Sequence, residues 1–481
     1  MRPGPILYFT SITLMTMGIL MLIPAIVGGF SRYEDSQPFL NAAAVTFAPA
    51  LLLYLLSRRP QMTVVPRHAF LITTLVWVAA AGAGAIPFGF HEHMSVTDAF
   101  FESMSGITTT GSTVLVGLDE LSPAILLWRS ILQWVGGMGF ILMAVAILPM
   151  VGVGGMRLFR SESSDWSEKS LPRTRDIAGH IALIYLGLTT ACGLAYWLFG
   201  MSIFDAINHA MTTLATGGYS TSDLSMGKYD APAVLWTGTI FMLLASLPFV
   251  LYLQAVKSGA GRLLRDDQVA FFLRMVVVIV AVGTLVLMSR SDDYSSWQAF
   301  TVVAFNAVST ITTTGYASTD YTLWGEFFVA AFVFLMFTGG CSGSTAGSIK
   351  AFRIQIALKL LNVQVKKLVH PNGVFVAKLN DSRLDPDITG ALVAFIFAVG
   401  LTVIGITIAL TAADLDFLTA LSSAATAVTN VGPGVGPIVG PAGNFSTLPD
   451  AAKWLLSGAM LLGRLELMTV VVLFSQAYWR G

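Results

Sequence analysis

The chain has 481 residues, 55% of them hydrophobic and 11% charged, and its mean hydropathy of +0.74 is far above that of a soluble domain of this size. Its 27 Lys and Arg balance 27 Asp and Glu, so nothing in the charge calls for nucleic acid or an acidic partner. Cys192 lies in an apolar run and Cys341 in a Gly/Ser stretch, which makes neither a disulfide framework nor a metal cluster.

Crossing the hydrocarbon of a bilayer takes about 20 apolar residues. Ten stretches qualify: 6–29, 39–56, 70–90, 125–151, 177–199, 231–256, 271–288, 324–361, 388–412 and 451–478. The first is too long for a signal-peptide core and shows no small-residue cleavage site, so it is expected to stay as a helix. The expected fold is an all-α membrane protein whose surroundings are the lipid bilayer. Lys and Arg gather in alternate connections: Arg58, Arg59 and Arg67; Arg157, Arg160, Lys169, Arg173 and Arg175; Lys257, Arg262, Arg265 and Arg274; Lys359, Lys366, Lys367, Lys378 and Arg383. The opposite connections hold few, namely Arg32, Arg129, Lys228, Arg290 and Lys453. This alternation marks the cytoplasmic side and places both termini there.

After two leading helices (1–66), the other eight fall into four pairs, giving units at 67–160, 161–265, 266–383 and 384–481. Each pair encloses a segment too short to span: SMSGITTTGST (103–113), AMTTLATGGYS (210–220), AVSTITTTGYA (307–317) and AATAVTNVGPG (424–434). Aligned on Gly111, Gly218, Gly315 and Gly432, they put Thr109, Thr216, Thr313 and Asn430 in one column. A hydroxyl residue stands six before each glycine (Ser105, Thr212, Ser309, Thr426), and an aliphatic four before it (Ile107, Leu214, Ile311, Val428). Asp98 and Asp205 share a further column, where N-caps of a short helix are expected. Each unit therefore reads helix, half-helix, Gly-bearing loop, helix, and an internal repeat of this kind marks a transport architecture.

Non-helical backbone at membrane depth is tolerated where it is buried in protein or lines a watery cavity. Four such loops on one axis meet that condition. Their backbone carbonyls supply oxygens that replace the water of a monovalent cation, glycine lets the chain turn them inward, and threonine adds hydroxyls. The half-helices would aim their negative ends at the same path. The predicted filter is Thr109, Thr110 and Gly111; Thr216, Gly217 and Gly218; Thr313, Thr314 and Gly315; Asn430, Val431 and Gly432. It holds no carboxylate, which argues against a divalent-cation site.

Two further features predict a gate. TGGCSGSTAGS (338–348), with Gly339, Gly340, Ser342, Gly343, Ser344 and Gly347, is too rich in glycine and hydroxyl residues to stay helical, and breaks the overlong eighth span. Beyond Lys453 at its outer end, Arg464 is the one basic residue expected inside the last span, about 15 Å from that end, where a charge is costly and generally functional. Glu466, two residues on, is poorly placed to neutralise it along a helix. The six histidines form no metal-ligand pattern, no phosphate-binding loop occurs, and no nucleophile, base or metal constellation suggests an enzyme. An ion-coupled symporter with alternating access stays open; it would need a coupling carboxylate at mid-membrane, and Asp98, Asp205 and Asp416 stand instead at half-helix beginnings.

The segments ITTTGST, LATGGYS, ITTTGYA and TNVGPG, with QWVGGMG (133–139), GGCSGSTAGSIK (339–350) and GRLE (463–466), resemble the Trk/Ktr/HKT superfamily of potassium transporters, and most closely its TrkH/TrkG branch. The two extra leading helices favour that branch over the shorter KtrB type. The resemblance covers nearly the whole chain. It implies potassium as the transported ion, uptake across the bacterial plasma membrane, no organic cofactor, a homodimer, and a cytoplasmic nucleotide-binding regulator of the TrkA type. It also implies that Arg464 is a positive barrier in the path and that the glycine loop obstructs the path and moves on opening. Gly217, and Asn430 with Val431, depart from the Thr-Thr pattern, so any fourfold symmetry is approximate.

Overall fold

The structure is a computed structural model describing residues 3–31, 33–57, 66–146, 174–259, 261–379, 382–384 and 386–480. Among the described residues seven helices are long and apolar enough to cross a bilayer: Pro3–Ser31, Tyr33–Leu56, Pro66–His91, Pro123–Ala146, Thr174–Leu198, Asp267–Arg290 and Pro386–Thr411. Large apolar side chains such as Ile26, Leu55, Leu285 and Val393 stand exposed on them, which is the surface that lipid covers. The expected end of the fourth span, at 151, lies outside the described residues, as do Arg32, Arg58, Arg59, Arg157, Arg160, Lys169 and Arg173.

The other three spans are broken. The eighth splits as its glycines predict, into Glu326–Leu335 and Ala351–Val369 around a non-helical stretch at 336–350. The sixth and tenth were expected to run unbroken and do not. Pro232–Ala245 and Phe249–Val256 meet at 90°, and Asp450–Arg464 and Met468–Phe474 at 107°. Hydropathy misses both bends because long apolar runs flank them, broken at the second only by Gly463, Arg464 and Glu466. Pro248 explains the first: it has no N–H to give and disfavours a helical residue before it. At the second, Glu466 has a φ of 60°, which no helix accommodates.

Between the paired spans lie four half-helices: Val96–Ile107, Ile203–Leu214, Ser296–Ile311 and Phe417–Thr429. The first two are capped by Ser95 and Ser202, one turn before the expected Asp98 and Asp205. Each serine hydroxyl accepts the aspartate's N–H (3.1 and 3.0 Å) and donates to its carboxylate (2.9 Å in both), leaving the carboxylate at the positive end of the helix. Ser295 and Gln298 form a full capping box in the third, and Asp416 caps the fourth.

One core joins the leading helices with the first and fourth units through Met17, Phe39, Trp128, Ala424 and Leu456. A second joins the second and third units through Tyr196, Phe272 and Phe305, and a third seals the third against the fourth through Tyr321, Phe332, Val431 and Val435. The half-helices are thereby held inside a closed set of neighbours.

Candidate functional site

All four half-helices end alike. Thr109, Thr216, Thr313 and Asn430 have φ of 52°, 51°, 57° and 57°, and Gly111, Gly218, Gly315 and Gly432 have φ of 88°, 75°, 81° and 113°. Positive φ costs a side-chain-bearing residue about 1–2 kcal/mol, so its recurrence at one column shows that the surroundings impose it. Alternating positive and negative φ turns successive carbonyls toward one side, which an extended strand does not do. The residue between them hydrogen-bonds back to the hydroxyl column: Thr110 N–H to Ser105 O (2.8 Å), Gly217 to Thr212 (2.9 Å), Thr314 to Ser309 (2.8 Å) and Val431 to Thr426 (3.1 Å).

The four glycines close a ring. A Cβ on Gly111 would stand 2.2 Å from Gly217 O, on Gly218 1.9 Å from Thr314 O, on Gly315 1.9 Å from Val431 O, and on Gly432 2.7 Å from Thr110 O. Each glycine thus faces the carbonyl of the equivalent residue in the next segment, in cyclic order. Segments one and three share a hydroxyl pair, Thr108 with Thr110 and Thr312 with Thr314, both at 2.8 Å. The other two depart for visible reasons. Gln133 donates to Gly217 O (2.6 Å) and accepts from Tyr219 N–H (3.0 Å), and a Cβ at position 217 would lie 2.4 Å from its Cδ. Asn430 tolerates its left-handed backbone and donates to Thr110 Oγ1 and Met460 O, both at 2.9 Å.

Where the chain leaves the glycines, the strands diverge around a cavity of about 280 Å³ lined by all four of them. Three seams of this mouth are laced by hydrogen bonds: Gly117 N–H to Asp223 (2.8 Å), Met226 N–H to Ala317 O (3.0 Å) and Phe445 N–H to Thr113 O (2.8 Å). Tyr219 and Tyr316 reinforce two of them by donating to Glu102 O (2.8 Å) and His209 O (3.2 Å), and Ser112 reinforces the third by donating to Gly432 O (2.8 Å). In segment four the matching residue is Pro433, which has no proton to donate, and among the described residues no hydrogen bond joins the strands of segments three and four there. At the rim, burial works to raise the pKa of Asp119, but hydrogen bonds from Lys228 and Ser222 outweigh it and hold the carboxyl below the usual range.

At the opposite end the 336–350 loop sits against the ring. Gly347 N–H donates to Thr313 Oγ1 (2.6 Å), and a Cβ on Gly347 would be 2.7 Å from Thr429 O. The bend of the sixth span holds the loop: Cys341 N–H reaches Ser246 O (2.9 Å), Thr345 Oγ1 reaches Ala245 O (3.0 Å), and Phe249 N–H reaches Gly343 O (3.0 Å). Helix carbonyls freed by the break are spent on the loop. Gly339 bonds to Ile349 O (2.9 Å), Gly340 leaves no room for a side chain beside Ala346, Ser344 bonds to Cys341 O (2.6 Å), and Ser342 is buried. Arg464 Nη1 donates to Thr345 O (2.9 Å) and its guanidinium lies 4.2 Å from the Phe140 ring centre, with Lys350 at 4.8 Å from the same ring. Arg464 Nε and Nη2 have no hydrogen-bond partner among the described residues. Glu466 is engaged elsewhere, by Arg353 at 2.6 Å.

The family model described as "TrkH: Cation transport protein" matches residues 35–480. The chain belongs to the TrkH family. The Trk system potassium uptake protein TrkI of Halomonas elongata is 47% identical over 481 residues, covering 100% of this chain and 97% of that one. The Trk system potassium uptake protein TrkH of Escherichia coli K12 is 38% identical over 465 residues, 96% of each. The crystal structure of the potassium transporter TrkH from Vibrio parahaemolyticus matches with a TM-score of 0.93 at 36% identity, over 100% of both chains.

In this TrkH-family chain the glycine loop and Arg464, read from sequence as two features, are in direct contact. Arg464 is the last residue of its helix rather than an interior one. Arg129, assigned from sequence to an outer connection, is instead 1% exposed within Pro123–Ala146. Gln133, Lys350 and Arg353 escaped the sequence reading as site residues. Gln133 had left a signal in Gly217, the glycine that makes room for it. Gly136, with Ile107 O 1.9 Å from where its Cβ would be, serves close packing.

Proposed function

We propose that this chain takes up potassium across the bacterial plasma membrane, with Thr109–Gly111, Thr216–Gly218, Thr313–Gly315 and Asn430–Gly432 as its selectivity filter. The cyclic approach of each glycine to the next segment's carbonyl carries the reading, since it brings four oxygen-rich strands around one axis with no carboxylate among them. The half-helices end at the same place, adding negative potential without fixed charge. The 336–350 loop, pinned by Thr313 and Arg464, is the gate in its closed position. Basic connections such as that of Lys359, Lys366 and Lys367 face the cytoplasm with both termini and offer docking charge to a TrkA-type nucleotide-binding regulator. The working unit is a homodimer, as the family resemblance implies.

Three broken spans favour a second reading, an ion-coupled symporter, because alternating-access transporters build their sites from broken helices. Rubidium-tracer uptake into proteoliposomes, with competing sodium and an imposed pH gradient, separates the two. The filter reading expects uptake that potassium competes away, that sodium barely affects, and that persists without a pH or sodium gradient. Uptake abolished when those gradients are collapsed establishes coupling. No cation uptake by correctly inserted protein refutes both.

A further inference from the structure

A further column lies behind the ring, nine residues before each glycine: Glu102, His209, Asn306 and Ser423, all buried. Three of the four reach the strand that leaves their own glycine. Both oxygens of Glu102 accept from Thr113 Oγ1 (3.0 Å), and Oε2 also accepts from Val114 N–H (2.9 Å). His209 Nε2 meets Ser220 Oγ at 3.1 Å. Asn306 donates to Ser318 Oγ (2.8 Å) and accepts from Ser318 N–H (3.1 Å). Ser423 Oγ has no partner among the described residues. Along this column the braces therefore grade from a charged one, through an imidazole and an amide, to none, and in segment four the neighbouring Ser422 holds the strand instead, by a neutral bond from its hydroxyl to Val435 O (2.8 Å).

The charged brace has a second half. Arg129 pairs with Glu102 through Nε (2.8 Å), donates Nη2 to Thr113 Oγ1 (3.2 Å), and donates Nη1 to Ser220 O (2.9 Å) in the neighbouring segment, lying 4.0 Å from the Tyr219 ring centre. It joins two quarters of the ring at once. Charge-assisted hydrogen bonds are roughly twice as strong as neutral ones and hold their geometry more tightly. In the snug-fit account of selectivity, a ring of oxygens sized for potassium rejects the smaller sodium ion because it resists closing in, and on that account stiffness behind the ring becomes selectivity at the ring.

We propose that Glu102 and Arg129 are specificity-determining positioning residues, which set the potassium-over-sodium preference by fixing the strands of segments one and two. The inference rests on the filter reading above. The test is the potassium-to-sodium permeability ratio in proteoliposomes for Glu102→Gln, for the charge-free pair Glu102→Gln with Arg129→Gln, and for Thr113→Val, which keeps the ion pair and its bonds to Val114 N–H and Ser220 O and removes its bonds to the Thr113 hydroxyl. Ser423→Ala is the control. The ratio does not depend on how much protein survives, so a merely structural role lowers both fluxes and leaves it unmoved. The expected result is a fall of about tenfold, equivalent to about 1.4 kcal/mol, for the first two, a smaller fall for Thr113→Val, and none for Ser423→Ala. If the ratio stays at the wild-type value in Thr113→Val and in whichever Glu102 variant folds, the inference is overturned while the filter reading stands. A wild-type protein with no preference for potassium overturns both.

Discussion

Replacing Arg464 by alanine removes the contact that ties the glycine loop to the last broken span. Its bond to Thr345 O is charge-assisted, about 1.5–3 kcal/mol, and the guanidinium over Phe140 adds about 0.5–2 kcal/mol. Among the described residues no carboxylate pairs with Arg464, so the substitution leaves no orphaned charge; Phe140 belongs to Pro123–Ala146, so it is the roughly 1.5–3 kcal/mol of the Thr345 bond that falls on the closed loop. A shift of that size moves a two-state equilibrium by more than about tenfold, and the gain in flux is limited only by how rarely the wild-type gate stands open. Initial rubidium uptake at equal protein density should therefore rise at least about tenfold in Arg464→Ala, with Arg464→Lys between it and wild type. Arg464→Ala protein that keeps its melting temperature and takes up rubidium no faster than wild type would refute the gating argument.

Gly217→Thr, which restores the pattern of segments one and three, should destabilise the protein by about 1–3 kcal/mol and abolish uptake, because Gln133 occupies the space its side chain needs. Gln133→Gly alongside it should restore part of the thermal stability. Glu466→Gln should cost about 3–5 kcal/mol by removing the carboxylate paired with the buried Arg353 cation, and Arg353→Met in the same chain should recover part of the lost melting temperature. The carboxyl of Asp119 has a folded-state pKa below its unfolded value near about 3.9, so its bridge to Lys228 contributes fully above that pH and is lost as pH falls through the lower folded value. Asp119→Asn should therefore leave the uptake profile between about pH 6 and 8 flat relative to wild type.

Much of this was legible in the amino acids because the repeat is written four times. A lone TTTG is a turn; four, each between paired spans, fix the ring glycines and the half-helices before them. The break at 338–348 showed because glycine and hydroxyl residues interrupt hydropathy itself. The bends at Pro248 and Glu466 did not, since long apolar runs flank both, and at the second Arg464 reads as a charge inside a span rather than as the end of a helix. Arg129 was misassigned for the converse reason: a lone charge near the end of an apolar run looks like a loop residue until its partner Glu102, 27 positions away, is seen beside it. The contact between Arg464 and Thr345 joins segments 119 positions apart, and no local pattern encodes it.

At the mouth, the seam between segments three and four is held by apolar packing through Val431, Val435 and Tyr321, without the lacing of the other three among the described residues, and at its opposite end the same two segments meet Gly347 of the loop at Thr313 and Thr429. In a ring of four identical chains, a missing staple would be missing everywhere, and the ring would soften evenly. Four repeats carried on one polypeptide escape that constraint. Their divergence lets compliance be concentrated at a single joint, between the two segments that also meet the loop proposed as the gate, while the three remaining joints keep the ring in register.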